Sequence, residues 1–285
     1  MNKQQLLQIK LWFRKYTARY IKDPTISFPV KLKLGHTARV VREIDGLTGM
    51  LGFSPENRLI AETIALLHDI GRFEQLETYH TMADKDSVNH AELGLCVLKE
   101  NSVLDHLGIA DADLIRTAIS NHNRLAIEDG LDERTRTFSL LIRDADKLDI
   151  LRAMLDTDYN GIEEELRTVF LGFPEVDECS PNTLEALKNG KMLRLQDLNY
   201  RNDFRLALLA WVFDLNFEQS KLIFAQRCYI EAIAQKLPDT TEVREALANV
   251  KSQLPVPEHY EPDGWKLKHK LVQVSRQRNH APVGA

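Results

Sequence analysis

Apolar residues recur at three- and four-residue steps along most of this chain, and no stretch alternates apolar with polar residues in the two-residue rhythm of a half-buried strand. That rhythm restricts the fold to packed helices, and the expected class is all-α. Glycine and proline are sparse and fall between the periodic stretches, at Pro24, Pro29, Gly35, Gly52, Pro55, Gly71, Gly108 and Gly130, where they read as breaks. The spacing predicts helices at about 3–22, 36–50, 56–70, 88–101, 111–123, 133–157, 160–170, 200–215, 218–236 and 240–252. Residues 172–199, with Gly172, Pro174, Pro181 and Gly190, read as a loop-rich connection. Past Pro255 the chain becomes basic, with Lys266, Lys268, Lys270, Arg276 and Arg278. These breaks predict a helical domain over 1–158, a helical extension over 159–254 packed on it, and a basic tail over 255–285.

Several partners and compartments are disfavoured on composition. The longest uninterrupted apolar run, Leu206 to Phe213, is far short of the roughly 20 residues of a membrane span. The opening Met1-Asn2-Lys3-Gln4-Gln5 has no apolar signal core, so a cytoplasmic location is expected. Cys96, Cys179 and Cys228 form no CxxC pair and read as free thiols of a reducing compartment. A net charge of −5 argues against a broad nucleic-acid footprint. A small anionic substrate is still compatible, because a metal and a few local cations can dominate the field of one pocket.

Ionisable residues stand where apolar ones belong. His36 shares a helical stripe with Val40, Ile44, Leu47 and Leu51, and His68 follows Ile60 and Ile64 on another. His90 leads Leu93, Gly94 and Val97, and His122 follows Ile115, Ala118 and Ile119. Asp144 and Asp146 lie in a helix that is apolar on nearly every side, and both are candidates by spacing. A single histidine in such a place is ordinarily a hydrogen-bonded core residue. Four on separate helices, with a His-Asp pair and an inward aspartate, call for a common partner. A buried carboxylate without one costs several kcal/mol or takes up a proton, and a metal cation removes that cost for the whole set. His68 and Asp69 close their helix, with Gly71 expected to cap it. The partial negative charge of the helix end favours a cation there. Asp69 has a second oxygen with which to reach another ion. His80, His106, His259, His269 and His280 fit no ligand pattern.

Five pieces in this order resemble the HD-domain superfamily of metal-dependent phosphohydrolases. They are His36-Thr-Ala-Arg-Val, Leu66-Leu-His68-Asp69-Ile-Gly71-Arg72, His90-Ala-Glu-Leu-Gly94, Asn121-His122-Asn123 and Ala145-Asp146-Lys147-Leu148-Asp149. The resemblance covers about residues 30–155 and implies an HD-domain-like helical bundle with additional C-terminal helices. It selects Asp146 over Asp144 as the last ligand, and Asp149 is then expected to orient Lys147 or Asp146. It implies one metal on His36, His68, Asp69 and Asp146, and a second on Asp69, His90 and His122, with Asp69 bridging. The mixed nitrogen and carboxylate donors suit Fe, Mn, Co, Ni or Zn better than Mg or Ca.

The activity implied by the resemblance is hydrolysis of a phosphate ester by a metal-activated hydroxide. Arg72 and Lys147 are the expected cations for the phosphate, with Asp69 at the reacting centre. Gln75 and Arg124 are further candidate substrate contacts, and the polar segment Phe73–Asn89 is a candidate covering loop. Arg72-Phe73 replaces the acidic pair of the alarmone hydrolases, and the Gly-Tyr-Pro motif of the cyclic-dinucleotide branch is absent. A small nucleotide or phosphorylated metabolite is therefore the expected substrate; homo-oligomer formation is left open. Two other classes are compatible with the same ligands: a di-iron oxygenase, and a non-catalytic signalling or binding protein that retains the fold.

Overall fold

The computed structural model describes residues 1–255, so all but the first residue of the expected basic tail lies outside the described residues. Those residues are helical, with no strand among them. They form two compact units: Met1–Val169 with Leu215–Ser220, and Phe170–Asp214 with the described chain from Lys221 on. The first unit thus runs past the boundary expected near residue 158 and includes a short segment from much later in the chain.

In the first unit, α1 (Lys3–Ile21), α2 (Ser27–Met50), α3 (Pro55–Leu67), α4 (Gly71–Tyr79), α5 (His90–Glu100), α6 (Ile109–Asn121), α7 (Glu133–Asn160) and α8 (Glu163–Val169) follow one another. Local signals fix several starts. Asn2 and Gln5 form a reciprocal capping box at α1. The Ser54 hydroxyl accepts from the Asn57 amide, with Pro55 opening α3. The Asn89 and Asp132 side chains cap α5 and α7. The core forms where α2 and α7 pack on α3 and α6. Val40, Ile44 and Leu47 of α2, Ile60, Ile64 and Leu67 of α3, Ile115 and Ile119 of α6, and Leu141 and Ile142 of α7 are buried there. Each such side chain contributes about 1.5–3 kcal/mol.

Three sequence expectations need correction. α2 begins at Ser27, not at 36, because Pro29 falls in its first turn, where an amide N–H has no partner within the helix anyway. The segment after the His-Asp pair is not a plain loop: α4 occupies Gly71–Tyr79 and buries Phe73, Gln75 and Leu76. Gly71 therefore does not cap α3. The chain turns through His68–Ile70 and starts a new helix, and among the described residues the glycines with positive φ are Gly52, Gly130, Gly172 and Gly190.

The second unit contains α9 (Pro181–Lys188), α10 (Arg201–Ala210), α12 (Tyr229–Ala234) and α13 (Thr241–Ser252); α11 (Glu218–Gln226) begins in the first unit and continues into the second. α9 lies inside the stretch expected to be loop; Pro181 starts it instead of breaking it. The helix expected over 218–236 is divided at Cys228, which has φ of 54°.

Asp144 explains how Leu215–Ser220 joins the first unit. Its carboxylate is fully buried and accepts from the Asn216 amide at 2.9 Å, the Asn216 side chain at 2.8 Å and the Phe217 amide at 3.1 Å. It therefore caps the start of α11 from another helix. Burial raises its pKa, and the hydrogen bonds only partly offset this. Asp144→Ala leaves buried donors unpaired and is expected to cost about 2 kcal/mol, read as a lower urea midpoint. Asp144→Asn, which keeps an acceptor, should lose less.

Candidate metal centre

The six candidate ligands come from α2, α5 and α7, the ends of α3 and α6, and the turn between α3 and α4. His36 lies mid-way along α2 and Asp146 mid-way along α7; His90 is the first residue of α5. His68 and His122 each follow the last residue of a helix, α3 and α6. Asp69 sits in the turn that leads into α4. Both helix ends carry partial negative charge, which favours a cation nearby. All four histidines and Asp69 are buried, and Asp146 is 19% exposed.

Asp69 stands between two histidine pairs. Its Oδ2 is 3.5 Å from both His36 Nε2 and His68 Nε2. Its Oδ1 is 3.3 Å from His90 Nε2 and 3.9 Å from His122 Nε2. Asp146 Oδ1 joins the first pair, 3.0 Å from His36 Nε2 and 3.8 Å from His68 Nε2. The donor atoms of His36, His68 and Asp69 lie close enough together to hold one ion, and so do those of Asp69, His90 and His122.

The outward face of each imidazole fixes its tautomer. His36 Nδ1 donates to Asp149 at 2.8 Å, and His90 Nδ1 donates to Asp84 at 2.7 Å. His68 Nδ1 donates to the Ala65 carbonyl and His122 Nδ1 to the Ile119 carbonyl. These partners can only accept, so in the neutral rings every Nε2 carries a lone pair and no hydrogen. His90 and His122 nevertheless bring their Nε2 atoms within 3.0 Å, and His36 and His68 within 3.4 Å. Between two neutral rings, facing lone pairs at such distances repel, whereas nitrogens sharing one ion at about 2.1 Å each are spaced in this way. When the His36 ring is neutral, the buried Asp146 Oδ1 has no hydrogen-bond donor. The donor set thus fits a divalent transition metal, with neutral imidazoles held from behind by carboxylates and carbonyls.

Protonation follows the same geometry. Burial pushes the His68 imidazole down to about 4, and burial with the nearby Arg72 and His122 does the same to His90. Burial also disfavours charge on His36, but hydrogen bonding to Asp146 and Asp149 outweighs it and raises that ring to about 9. A proton on His36 and a metal compete for the same nitrogen. Burial alone would raise Asp69, yet Lys33 and the surrounding histidines hold its carboxyl well below the usual range.

The remaining expected site residues are disposed unequally. Arg72 Nε is 3.6 Å from Asp69 Oδ1, while Nη1 donates to Asp84 at 2.7 Å, to Gln75 at 2.9 Å and to the Met82 carbonyl. Gln75 is fully buried, and its amide donates to Asp84, Ser87 and Val88. It shapes the Arg72–Asp84 pair and presents nothing to solvent. Lys147 follows Asp146 on α7 and is partly exposed. Arg124 is exposed and pairs with Glu128 at 3.4 Å. Asp149 orients His36, not the residues expected from its spacing, and is itself held by Arg39 and Arg152.

Two participants were missed in the sequence. Asp84 was only one polar residue of a long segment, yet it anchors His90 and Arg72 together. Lys33 pairs with Asp69 Oδ2. It lies one turn before His36, a legible position only once α2 is known to begin ahead of Gly35.

The HD domain family model matches residues 34–154. No curated protein and no solved structure matches the chain.

Proposed function

We propose, on the match of residues 34–154 to the HD domain family of metal-dependent hydrolases, that this chain cleaves a phosphate ester of a small nucleotide or phosphorylated metabolite. The observation that carries the reading is the position of Asp69, one oxygen facing His36 and His68 and the other facing His90 and His122. In this reading His36, His68, Asp69 and Asp146 hold one divalent ion, and Asp69, His90 and His122 hold another. Bound transition metals supply a Lewis acid for the phosphoryl oxygens and lower the pKa of bound water from 15.7 to about 7.

The protein's own groups do the rest. Asp149 and Asp84 keep the His36 and His90 rings in the Nδ1–H tautomer, so that Nε2 faces inward. Arg72 is held rigid by Asp84 and Gln75 and adds fixed positive charge beside Asp69 Oδ1, where charge on a phosphoryl group would grow. Lys147 is the proposed cation on the Asp146 side. No described helix is long and apolar enough to cross a membrane.

Elemental analysis of the untagged protein, with a phosphate-ester panel run in the metal found, tests the proposal. About two transition-metal ions per chain with release of phosphate are expected. His90→Ala should lose about one ion and keep the other, because the first cluster has no atom from α5. No metal and no turnover after reconstitution would overturn the reading in favour of a binding protein. Turnover that requires oxygen would overturn it in favour of an oxygenase.

A further inference from the structure

A lysine ammonium rests on the carboxylate that the two histidine pairs share. Lys33 and His36 are three residues apart on α2, so helical spacing gives them one face. Lys33 Nζ pairs with Asp69 Oδ2, the oxygen that also faces His36 and His68. The lysine side chain is 19% exposed and the aspartate 5%, so the ammonium is carried by the more exposed partner, on a flexible four-carbon stem. Arg72 is differently placed, its guanidinium committed to Asp84, Gln75 and the Met82 carbonyl.

An ion that takes Asp69 Oδ2 competes with this ammonium for the same lone pairs, and like charge then drives the ammonium off. The displaced, partly exposed Nζ is then available to an anion bound at the centre. We propose that Lys33 is a displaceable cation: it neutralises Asp69 in the metal-free protein and, once a metal has taken that oxygen, binds the phosphate of the substrate. The first half stands on the Lys33–Asp69 pair alone, and the second rests on the phosphohydrolase reading.

Lys33→Met keeps the stem and removes the charge. Calorimetric titration of Mn²⁺ into the metal-stripped protein should show about tenfold tighter binding in the variant, since a charge-assisted contact no longer competes. Titration of inorganic phosphate into the Mn²⁺-loaded protein should show about tenfold weaker binding. Lys33→Arg should keep phosphate binding within a few-fold, and Lys33→Gln provides the neutral variant if methionine impairs folding. Mn²⁺ affinity that is unchanged or weaker without the charge would overturn the proposal, as would undiminished phosphate binding. Wild-type protein that binds phosphate through Lys33 yet releases none from any ester would remove the phosphohydrolase reading, and with it the substrate role of Lys33, and leave standing only the first half, which the Mn²⁺ titration reads.

Discussion

Asp69→Ala is expected to lower kcat by about a thousandfold or more, ~4 kcal/mol of barrier, and to take metal content from about two ions per chain to fewer than one. No other single substitution at the centre should do both. Asp69 offers an oxygen to His36 and His68 and another to His90 and His122, whereas Asp146 and each histidine serve one cluster. The fold should survive. The Asp69 partners are side chains of the site, and Lys33, already partly exposed, can turn to water when the carboxylate is gone. The melting temperature of the metal-free variant should therefore stay within a few degrees of wild type, which separates loss of metal from loss of structure. Asp69→Asn retains one carbonyl oxygen and is expected to retain part of one cluster. Hydrolysis that persists in Asp69→Ala would refute the bridging role.

The candidate ligands were legible as a group because burial makes them so. A histidine in an apolar stripe has to be paid for, and four of them with two carboxylates point to a shared cation before any geometry is known. What surrounds the ligands was much less legible. Asp84 lies in a short 3-10 turn between α4 and α5, and its pairing with His90 depends on how that turn folds back. Lys33 was hidden by an error about a helix start, since Pro29 and Gly35 read as breaks although the first is harmless in a first turn. The polar sequence of α4 suggested a loop, but Phe73 and Leu76 bury its inner face and Gln75 saturates the polar groups beneath it. Asp144 shows the same limit from the other side. Its spacing matched a ligand, and its actual partners are amides 72 and 73 residues further along. Helical periodicity reports which face is buried; it does not report what a buried carboxylate meets there.

Gly71→Ala is the sharpest stability test, and it follows from a correction. A left-handed cap would tolerate alanine at a cost of about 1 kcal/mol, with the metal centre untouched. Gly71 instead opens α4 against α5. A Cβ there would stand 2.1 Å from the His90 carbonyl oxygen and 2.5 Å from the Gly94 amide nitrogen. Both are backbone atoms, so no side-chain rotation relieves the overlap and one helix must move. The expected cost is about 3 kcal/mol, a fall of roughly 6–12 °C in melting temperature for a unit of this size. The helix that moves begins with His90, whose Nε2 lies 3.0 Å from that of His122. If two ions bind as proposed, the variant should therefore lose the one on Asp69, His90 and His122 and keep the one on His36, His68, Asp69 and Asp146. Gly94→Ala provides the control. Its Cβ would meet the Gly71 amide nitrogen and Ile70 Cγ2 at 3.2 Å, a contact that small shifts can absorb, at about 1 kcal/mol. Equal losses in the two variants, or a Gly71→Ala protein with full metal content, would mean that α4 and α5 do not hold His90 in place by glycine-to-glycine contact.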